Sequence, residues 1–291
     1  MSVALRVTSP GLSASIQDLG RWGRQGQGMP VAGALDPLAL RLANALVGAP
    51  AGAAALEIGY MGPTLTVEGG PIRFALAGEA AIAIEGARPR KLSPFRSHRL
   101  EAGETLRIGP IAGAATAYLA VEGGFDAPLF MGSRATYARA GLGGFHGRPI
   151  AVGDALTIGA PATDRPDRAV DRGPDYGAGP LRLILGPQDD YFTEAAIEAF
   201  LGSDYVVSKE ADRMGLRLDG PLLEHSALGA DLVSDGIAAG SIQVPRAGTP
   251  ILLLADRQTI GGYPKFATVI SADLPRAGRM IPGTAFRFEA V

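Results

Sequence analysis

Apolar positions along the chain come in short runs broken by turn residues, and that rhythm predicts a protein built mainly of β-strands. The runs are 64–67, 72–77, 81–84, 116–121, 181–185, 205–207, 251–254 and 266–270. Each is bounded by Gly, Pro or Asp, the spacing expected of a sandwich or barrel. A small unit recurs within the pattern: Gly103-Glu104-Thr105-Leu106-Arg107-Ile108-Gly109 and Gly153-Asp154-Ala155-Leu156-Thr157-Ile158-Gly159 share G-[E/D]-x-L-x-I-G, and Gly283-Thr284-Ala285-Phe286-Arg287-Phe288 is a looser third copy. In each, a polar turn enters a strand whose alternate residues can face a core. Internal duplication and ordinary turn-then-strand grammar both account for it.

Two segments carry a helical pattern. Asp36-Pro37, followed by Leu38, Leu42 and Leu46 and closed by Gly48, supplies an N-cap, a Pro at the first helical position, an apolar stripe and a Gly stop. A second helix is expected from about 190 to 201, with Ala196, Ile197 and Phe200 inward. Between Thr163 and Pro180 the chain is rich in Asp, Arg, Pro and Gly and poor in apolar residues. This reads as a linker, with a domain boundary near Gly173 dividing the chain into 1–172 and 173–291.

Composition narrows the function classes. With 291 residues, 47% apolar and 19% charged, the chain can fill one large core or two ordinary ones, and disorder does not fit that balance. The 27 Lys+Arg nearly cancel the 29 Asp+Glu, leaving no basic field for nucleic acid or an anionic membrane. The absence of cysteine removes disulfides, thiolate nucleophiles and iron–sulfur clusters. Only His98, His146 and His225 are present, with no HxxxH or HExxH pair, so no metal site is expected. No basic-then-apolar leader opens the chain, and no run approaches the ~20 apolar residues of a membrane span, which predicts a cytoplasmic protein. There is no phosphate-binding G-x-x-x-x-G-K-[ST], residues 141–147 lack the G-x-G-x-x-G order, and no G-x-S-x-G elbow occurs.

The unusual polar residues lie in the second half, in Asp212-Arg213-Met214-Gly215, Ser234-Asp235-Gly236-Ile237, Ser241-Ile242-Gln243-Val244-Pro245 and Asp256-Arg257-Gln258-Thr259-Ile260-Gly261-Gly262-Tyr263-Pro264. Asp, Arg, Gln and Thr at a strand end, followed by a Gly-Gly that lets backbone approach, suit a small polar ligand. Arg can clamp a carboxylate, and Gln and Thr can hold an amide or ureido group. The structural reading stands beside it: Asp256 and Arg257 as an ion pair in a β-turn bent at Gly261-Gly262. In the first half, Asp36 has a sufficient role as helix cap, and Asn44 and Glu57 read as internal hydrogen-bonders or as groups reaching a site. Lys265, next to Tyr263-Pro264, could serve a phosphate, and the preferred reading is a solvated lysine at a strand start.

Taken in order, Gln17-Asp18-Leu19-Gly20-Arg21, Pro30-Val31, Gly33-Ala34, Asp36, Leu40 to Asn44 and Ala54 to Glu57 resemble the start of the carboxyltransferase-type family that contains the C subunit of 5-oxoprolinase. Gly186-Pro187-Gln188-Asp189 and the four second-half motifs resemble that family's pattern in the same order. The resemblance covers nearly the whole chain. It departs at Asp235, where Glu is common, at Ile260, where a second Thr is common and a hydroxyl is therefore missing, and at Gly278-Arg279, where Ala-Gln is frequent.

The resemblance implies two cyclophilin-like β-barrel domains with a few short helices. It also implies a tight heteromer with the B subunit of 5-oxoprolinase, joined by the A subunit, that opens 5-oxo-L-proline to L-glutamate with ATP and Mg. Its alternatives are a carboxyltransferase subunit of a biotin-dependent urea or amide carboxylase, with biotin brought by another protein, and a regulatory binding protein of the kind named for modulating a sporulation kinase. On the matched motifs, Asp256, Arg257, Gln258 and Tyr263 are the candidate catalytic residues, Arg257 for the substrate carboxylate and Gln258 for the lactam. Asp212, Arg213, Gln243, Thr259 and Gly262 are the candidate substrate-binding layer.

Overall fold

A computed structural model of the chain describes residues 2–86, 88–159 and 162–291. The chain divides into two compact units, Met1–Arg21 with Ala32–Asp175 and Trp22–Val31 with Tyr176–Val291. Most of the regular structure is β, as the short apolar runs predict.

The first unit contains two antiparallel sheets. One runs in the order Ala155–Thr157, Ala4–Ser9, Thr64–Glu68, Thr105–Ile111, Ala80–Glu85, Arg90–Leu92, and the other Ser13–Gln17, Ala55–Gly59, Thr116–Val121, Ile72–Ala77, Ser97–Leu100. Leu5, Val7, Leu65 and Leu106 from the first meet Ile16, Leu56, Phe74 and Leu119 from the second in one buried cluster. The strands Thr116–Val121 and Ile72–Ala77 of the five-stranded sheet are buried on both faces, and from Phe74 to Ala77 large and small residues alternate. Phe74 and Leu76 join the core between the sheets, while Ala75 and Ala77 join a cluster with helix α1, Pro37–Val47. Small side chains on that face let Leu40, Ala43, Leu46 and Val47 pack closely, and burying a leucine there contributes about 2 kcal/mol. The ends of α1 follow the sequence: Asp36 Oδ1 accepts from Leu38 N at 3.1 Å and Ala39 N at 3.0 Å, and Gly48 ends the helix at φ 70°.

The three copies of the recurring unit form the same hydrogen-bonded turn. Gly103, Gly153 and Gly283 have φ of 86°, 89° and 88°, the left-handed conformation that the third position of a type II turn requires. The following residues, Glu104, Asp154 and Thr284, donate to the carbonyls of Glu101, Ala151 and Ile281. Each turn exchanges two backbone bonds with a valine: Gly103 and Glu104 with Val67, Gly153 and Asp154 with Val7, Gly283 and Thr284 with Val207.

The polar stretch after Thr163 is bound to the first unit along its early part. Thr163 donates to Glu122 through N (3.1 Å) and Oγ1 (2.5 Å), and buried Arg73 pairs with Asp167 and donates to Arg165 O. Ser97 and Arg168 exchange bonds, and Val170 N donates to Phe95 O. A segment with few apolar residues is thus held by charges.

The second unit is an eight-stranded sheet in the order Ala285–Phe286, Tyr205–Val207, Gly215–Asp219, Ile251–Leu253, Ser241–Gln243, Lys265–Val269, Leu181–Leu185, Phe288–Ala290. Only the last pairing is parallel. Its core is aromatic: the Phe200 ring lies 4.7 Å from both Phe266 and Phe288 and 5.1 Å from Tyr205. Phe200 and Ala196 are supplied by helix α2, Glu194–Gly202, while Ile197 is only half-buried. The helix begins later than its apolar pattern predicts, because Thr193 accepts from Ala196 N and caps it there. Helix α3, Leu274–Ala277, is a single turn too short to carry a legible period. A two-stranded ribbon pairs Asp235–Gly236 with Ile260–Gly261. Among the described residues no helix is long and apolar enough to cross a membrane.

Candidate functional site

All nine candidate residues of the second-half motifs fall within the second unit: Asp212 and Arg213 in the loop entering Gly215–Asp219, Gln243 at the end of strand Ser241–Gln243, and the other six between strands Ile251–Leu253 and Lys265–Val269. Gln243 is their centre. It is buried, its Nε2 donates to Tyr263 O at 3.2 Å, and its Oε1 accepts from Gln258 Nε2 at 2.9 Å. The Tyr263 carbonyl can only accept, so it fixes the orientation of the Gln243 amide, which in turn fixes that of Gln258. Gln258 Oε1 is then left as a buried acceptor with no hydrogen-bond partner. Gly261 makes room for this pair: a Cβ there would stand 2.9 Å from Gln243 Nε2 and 3.4 Å from Gln258 Nε2.

The expected ion pair between Asp256 and Arg257 does not form. Asp256 is bound instead by Arg213, whose Nε and Nη2 each reach its carboxylate at 3.0 Å, while Asp256 N donates to Arg213 O. Neighbours in a turn cannot present a parallel two-point contact, whereas a residue from an adjacent loop can. Arg257 is buried with its Nε and Nη1 on the carbonyls of Ile237 and Leu254, both at 3.2 Å, and among the described residues no carboxylate pairs with it. Burial pushes its pKa down.

The other candidates are held more locally. Asp212 Oδ1 accepts from Met214 N and Gly215 N and so closes its own turn. Thr259 and Gly262 contribute carbonyls to Ile237 N and Leu232 N, and the Tyr263 side chain is exposed. In the first unit, Asn44 donates to the carbonyls of Ala51 and Ala53, and Glu57 accepts from Leu35 N and Tyr118 Oη, which makes both internal hydrogen-bonders.

Lys265 overturns its expectation. It is 3% exposed rather than solvated, and its Nζ lies 2.7 Å from Asp235 Oδ2. Gln188 joins them, with Oε1 accepting from Lys265 N at 3.1 Å and Nε2 3.4 Å from Asp235. The Lys265 ammonium holds the Asp235 carboxyl below the usual aspartate range. Asp235 stands in one of the unusual polar motifs of the sequence and Gln188 in a motif of the family resemblance; what the sequence lacks is any sign that Lys265 is buried against them.

Residues 27–290 match the model of the carboxyltransferase domain, subdomains A and B. The chain belongs to that family. Two curated relatives are similar over nearly their whole length: the C subunit of 5-oxoprolinase from Escherichia coli, 36% identical over 98% of this chain and 90% of the relative, and the protein of the same name from Haemophilus influenzae, 34% identical over 96% and 88%. Among solved structures, the urea carboxylase of Kluyveromyces lactis superposes with a TM-score of 0.89 at 27% identity, over 99% of this chain and 27% of that longer one. In this carboxyltransferase-domain chain the amide pair, the Arg213–Asp256 clasp and the Lys265 group rest on the ends of four antiparallel strands and on the segments that join them.

Proposed function

We propose that this chain is the C subunit of an ATP-dependent 5-oxoprolinase that works in the cytoplasm with the A and B subunits of that enzyme and takes part in opening 5-oxo-L-proline to L-glutamate. The observation that carries the reading is the near-full-length similarity to two proteins of that name. The site chemistry supports it. The substrate carries a carboxylate and a lactam, and the site offers a buried guanidinium without a carboxylate partner among the described residues, beside an amide acceptor without a donor. A buried cation is costly until an anion meets it, so Arg257 is assigned to the carboxylate. Gln258 Oε1 is assigned to the lactam N–H. Gln243 holds Gln258 in place, Arg213 and Asp256 fix the loop that carries Arg257, and Asp212, Thr259, Gly262 and Tyr263 shape its surroundings.

In such a complex, Mg-ATP would supply activation of the lactam oxygen, a poor electrophilic system otherwise. The glycine-rich loop at 141–147 does not fit a phosphate. Cβ atoms at Gly143, Gly144 and Gly147 would collide with Ala135 O, Thr136 Oγ1 and Gly141 O, so these glycines accommodate the chain's own packing rather than a ligand. No ATP-dependent step is therefore placed on this chain. A second reading, carboxyl transfer to urea with biotin carried by another protein, is favoured by the fold match to the urea carboxylase, and it would use the same amide-binding groups.

The test is glutamate release from 5-oxo-L-proline and Mg-ATP by this chain mixed with the A and B subunits, omitting each component in turn. Glutamate only when all are present is the expected result. None from a well-folded stoichiometric complex would refute the reading, and urea with a biotinylated carrier would be the next substrate.

A further inference from the structure

Lys265 and Asp235 form an asymmetric pair. The lysine side chain is 4% exposed and the aspartate 52%, so the ammonium is on the inner side and the carboxylate at the rim. An exposed ion pair contributes little to stability, and a buried cation needs a reason to be there. Lys Nζ has three donors. Asp235 Oδ2 takes one, and among the described residues no other group accepts from it.

The register shows where the remaining donors stand. Gln243 and Lys265 are paired across Ser241–Gln243 and Lys265–Val269 at a bulge that shifts the register after Ile242. Asp235, which receives Lys265 Nζ, is the direct partner of Gly261, whose Cβ direction meets Gln243 Nε2 and Gln258 Nε2, and side chains directly opposite share a face. Gln243 carries Gln258 on that face. An ammonium donor and the unpartnered Gln258 Oε1 acceptor are therefore gathered around one glutamine. A five-membered lactam is a cis amide, with its C=O and N–H along one edge, and a ureido group presents the same edge. An extended peptide amide points the two in opposite directions.

We infer that Lys265 is a catalytic residue of this site, its ammonium donating to the amide oxygen of a cis-amide substrate whose N–H is taken by Gln258, with Asp235 and Gln188 as positioning residues. The inference rests on the reading of the chain as part of a 5-oxoprolinase. No proton needs to leave Lys265. When water adds to the carbonyl carbon, the C=O electron pair moves onto the oxygen and the Lys265 hydrogen bond strengthens. The pair returns as the C–N bond breaks, the ring nitrogen takes up a proton lost by the water, and the products are the carboxylate and amine of glutamate, so kcat rises more than KM falls.

The experiment is steady-state glutamate release by the full complex carrying Lys265→Met or Asp235→Asn. Lys265→Met is expected to lower kcat at least about 100-fold, the loss typical of one oxyanion donor, with KM changing less than about threefold. Asp235 is half-exposed, so its replacement leaves the core filled. Asp235→Asn is expected to lower kcat about 10-fold, the scale seen when an outer partner is lost, and to alter the acid side of the kcat–pH profile, which a merely structural role would leave unchanged. A folded Lys265→Met complex that keeps wild-type kcat overturns the inference while the 5-oxoprolinase reading stands, and so does Asp235→Asn with wild-type kcat and pH profile if Lys265→Met does not fold. A wild-type complex that releases no glutamate refutes the 5-oxoprolinase reading instead. The variants are then read in urea carboxylation with a biotinylated carrier: the same loss of kcat supports the role of Lys265, and an unchanged kcat or a silent wild type overturns it.

Discussion

Replacing Gly261 by alanine tests the amide pair without touching any proposed donor or acceptor. The added Cβ would lie 2.9 Å from Gln243 Nε2, 3.4 Å from Gln258 Nε2 and 2.8 Å from Ile237 Cδ1. The isoleucine methyl can swing away, but Gln243 must retreat by roughly half an ångström to restore ordinary contact. Its bond to Tyr263 O is already 3.2 Å and its bond from Gln258 is 2.9 Å, so a shift of that size breaks one of them. The expected loss of stability is about 1 kcal/mol for the hydrogen bond plus about 1 kcal/mol of overpacking. Because misplacing a binding group by an ångström can cost about 100-fold, turnover of the complex should fall at least about 10-fold. Gly236, on the facing strand of the same ribbon, is the control: nothing lies within 4 Å of a Cβ there, and Gly236→Ala should shift stability by less than about 0.5 kcal/mol. Thermal denaturation of the chain and glutamate release by the complex read both effects. A Gly261→Ala variant as stable and active as Gly236→Ala would refute the placement of the two glutamines.

Arg257→Ala should lower kcat/KM of the assembled complex at least about 30-fold, the scale for losing a buried charged contact, while the chain keeps its circular dichroism spectrum. An active variant would remove Arg257 from the site, and an unfolded one would make it structural. Stability should also depend on pH through Asp273, whose carboxylate accepts from Arg182 N, Nε and Nη2 at 2.8, 3.1 and 2.7 Å. The Arg182 guanidinium lowers its pKa below the ordinary 3.8. A depressed carboxyl contributes stability that is present above the unfolded value and lost as pH falls through the folded one. The stability difference between wild type and Asp273→Asn should therefore be constant at neutral pH and shrink below about pH 4. A difference that grows on acidification would contradict the assignment.

The fold is legible where structure depends on neighbours in sequence. Asp36, Pro37 and Gly48 delimit α1 because a cap, a fixed φ and a left-handed stop act within a few residues. The strands at 72–77 and 116–121 stand out because burial on both faces makes them apolar at all positions but Arg73 and Thr116. Strands such as Ser13–Gln17 and Gly215–Asp219 mix polar and apolar residues over five positions, and their identity comes from the partners that pair with them. The start of α2 is obscure in the sequence because Thr193 competes with Asp189 and Asp190 as an acidic or hydroxyl cap, and only packing of Phe200 into the aromatic cluster decides between them.

The candidate site shows the same division more sharply. Residue type alone marks Gln243, Arg257 and Gln258 as polar groups among apolar strands, and the structure places Gln243 at a strand end and the other two in the loop that follows Ile251–Leu253 of the same sheet. Pairing is not legible, since the Asp256 partner lies 43 positions away at Arg213, and adjacent opposite charges in a sequence are a poor guide to which carboxylate a guanidinium can grip with two parallel bonds. Once Arg213 holds Asp256, Arg257 is left as a buried cation that, among the described residues, donates to two carbonyls and pairs with no carboxylate. Lys265 misleads for the complementary reason. A lysine after Tyr-Pro looks solvated unless the carboxylate that receives it is known, and Asp235 reaches it across a two-stranded ribbon that only the fold assembles. What a sequence of this kind conceals is therefore which charges are neutralised inside the protein: Arg213 meets Asp256 and Lys265 meets Asp235, whereas among the described residues no carboxylate pairs with Arg257.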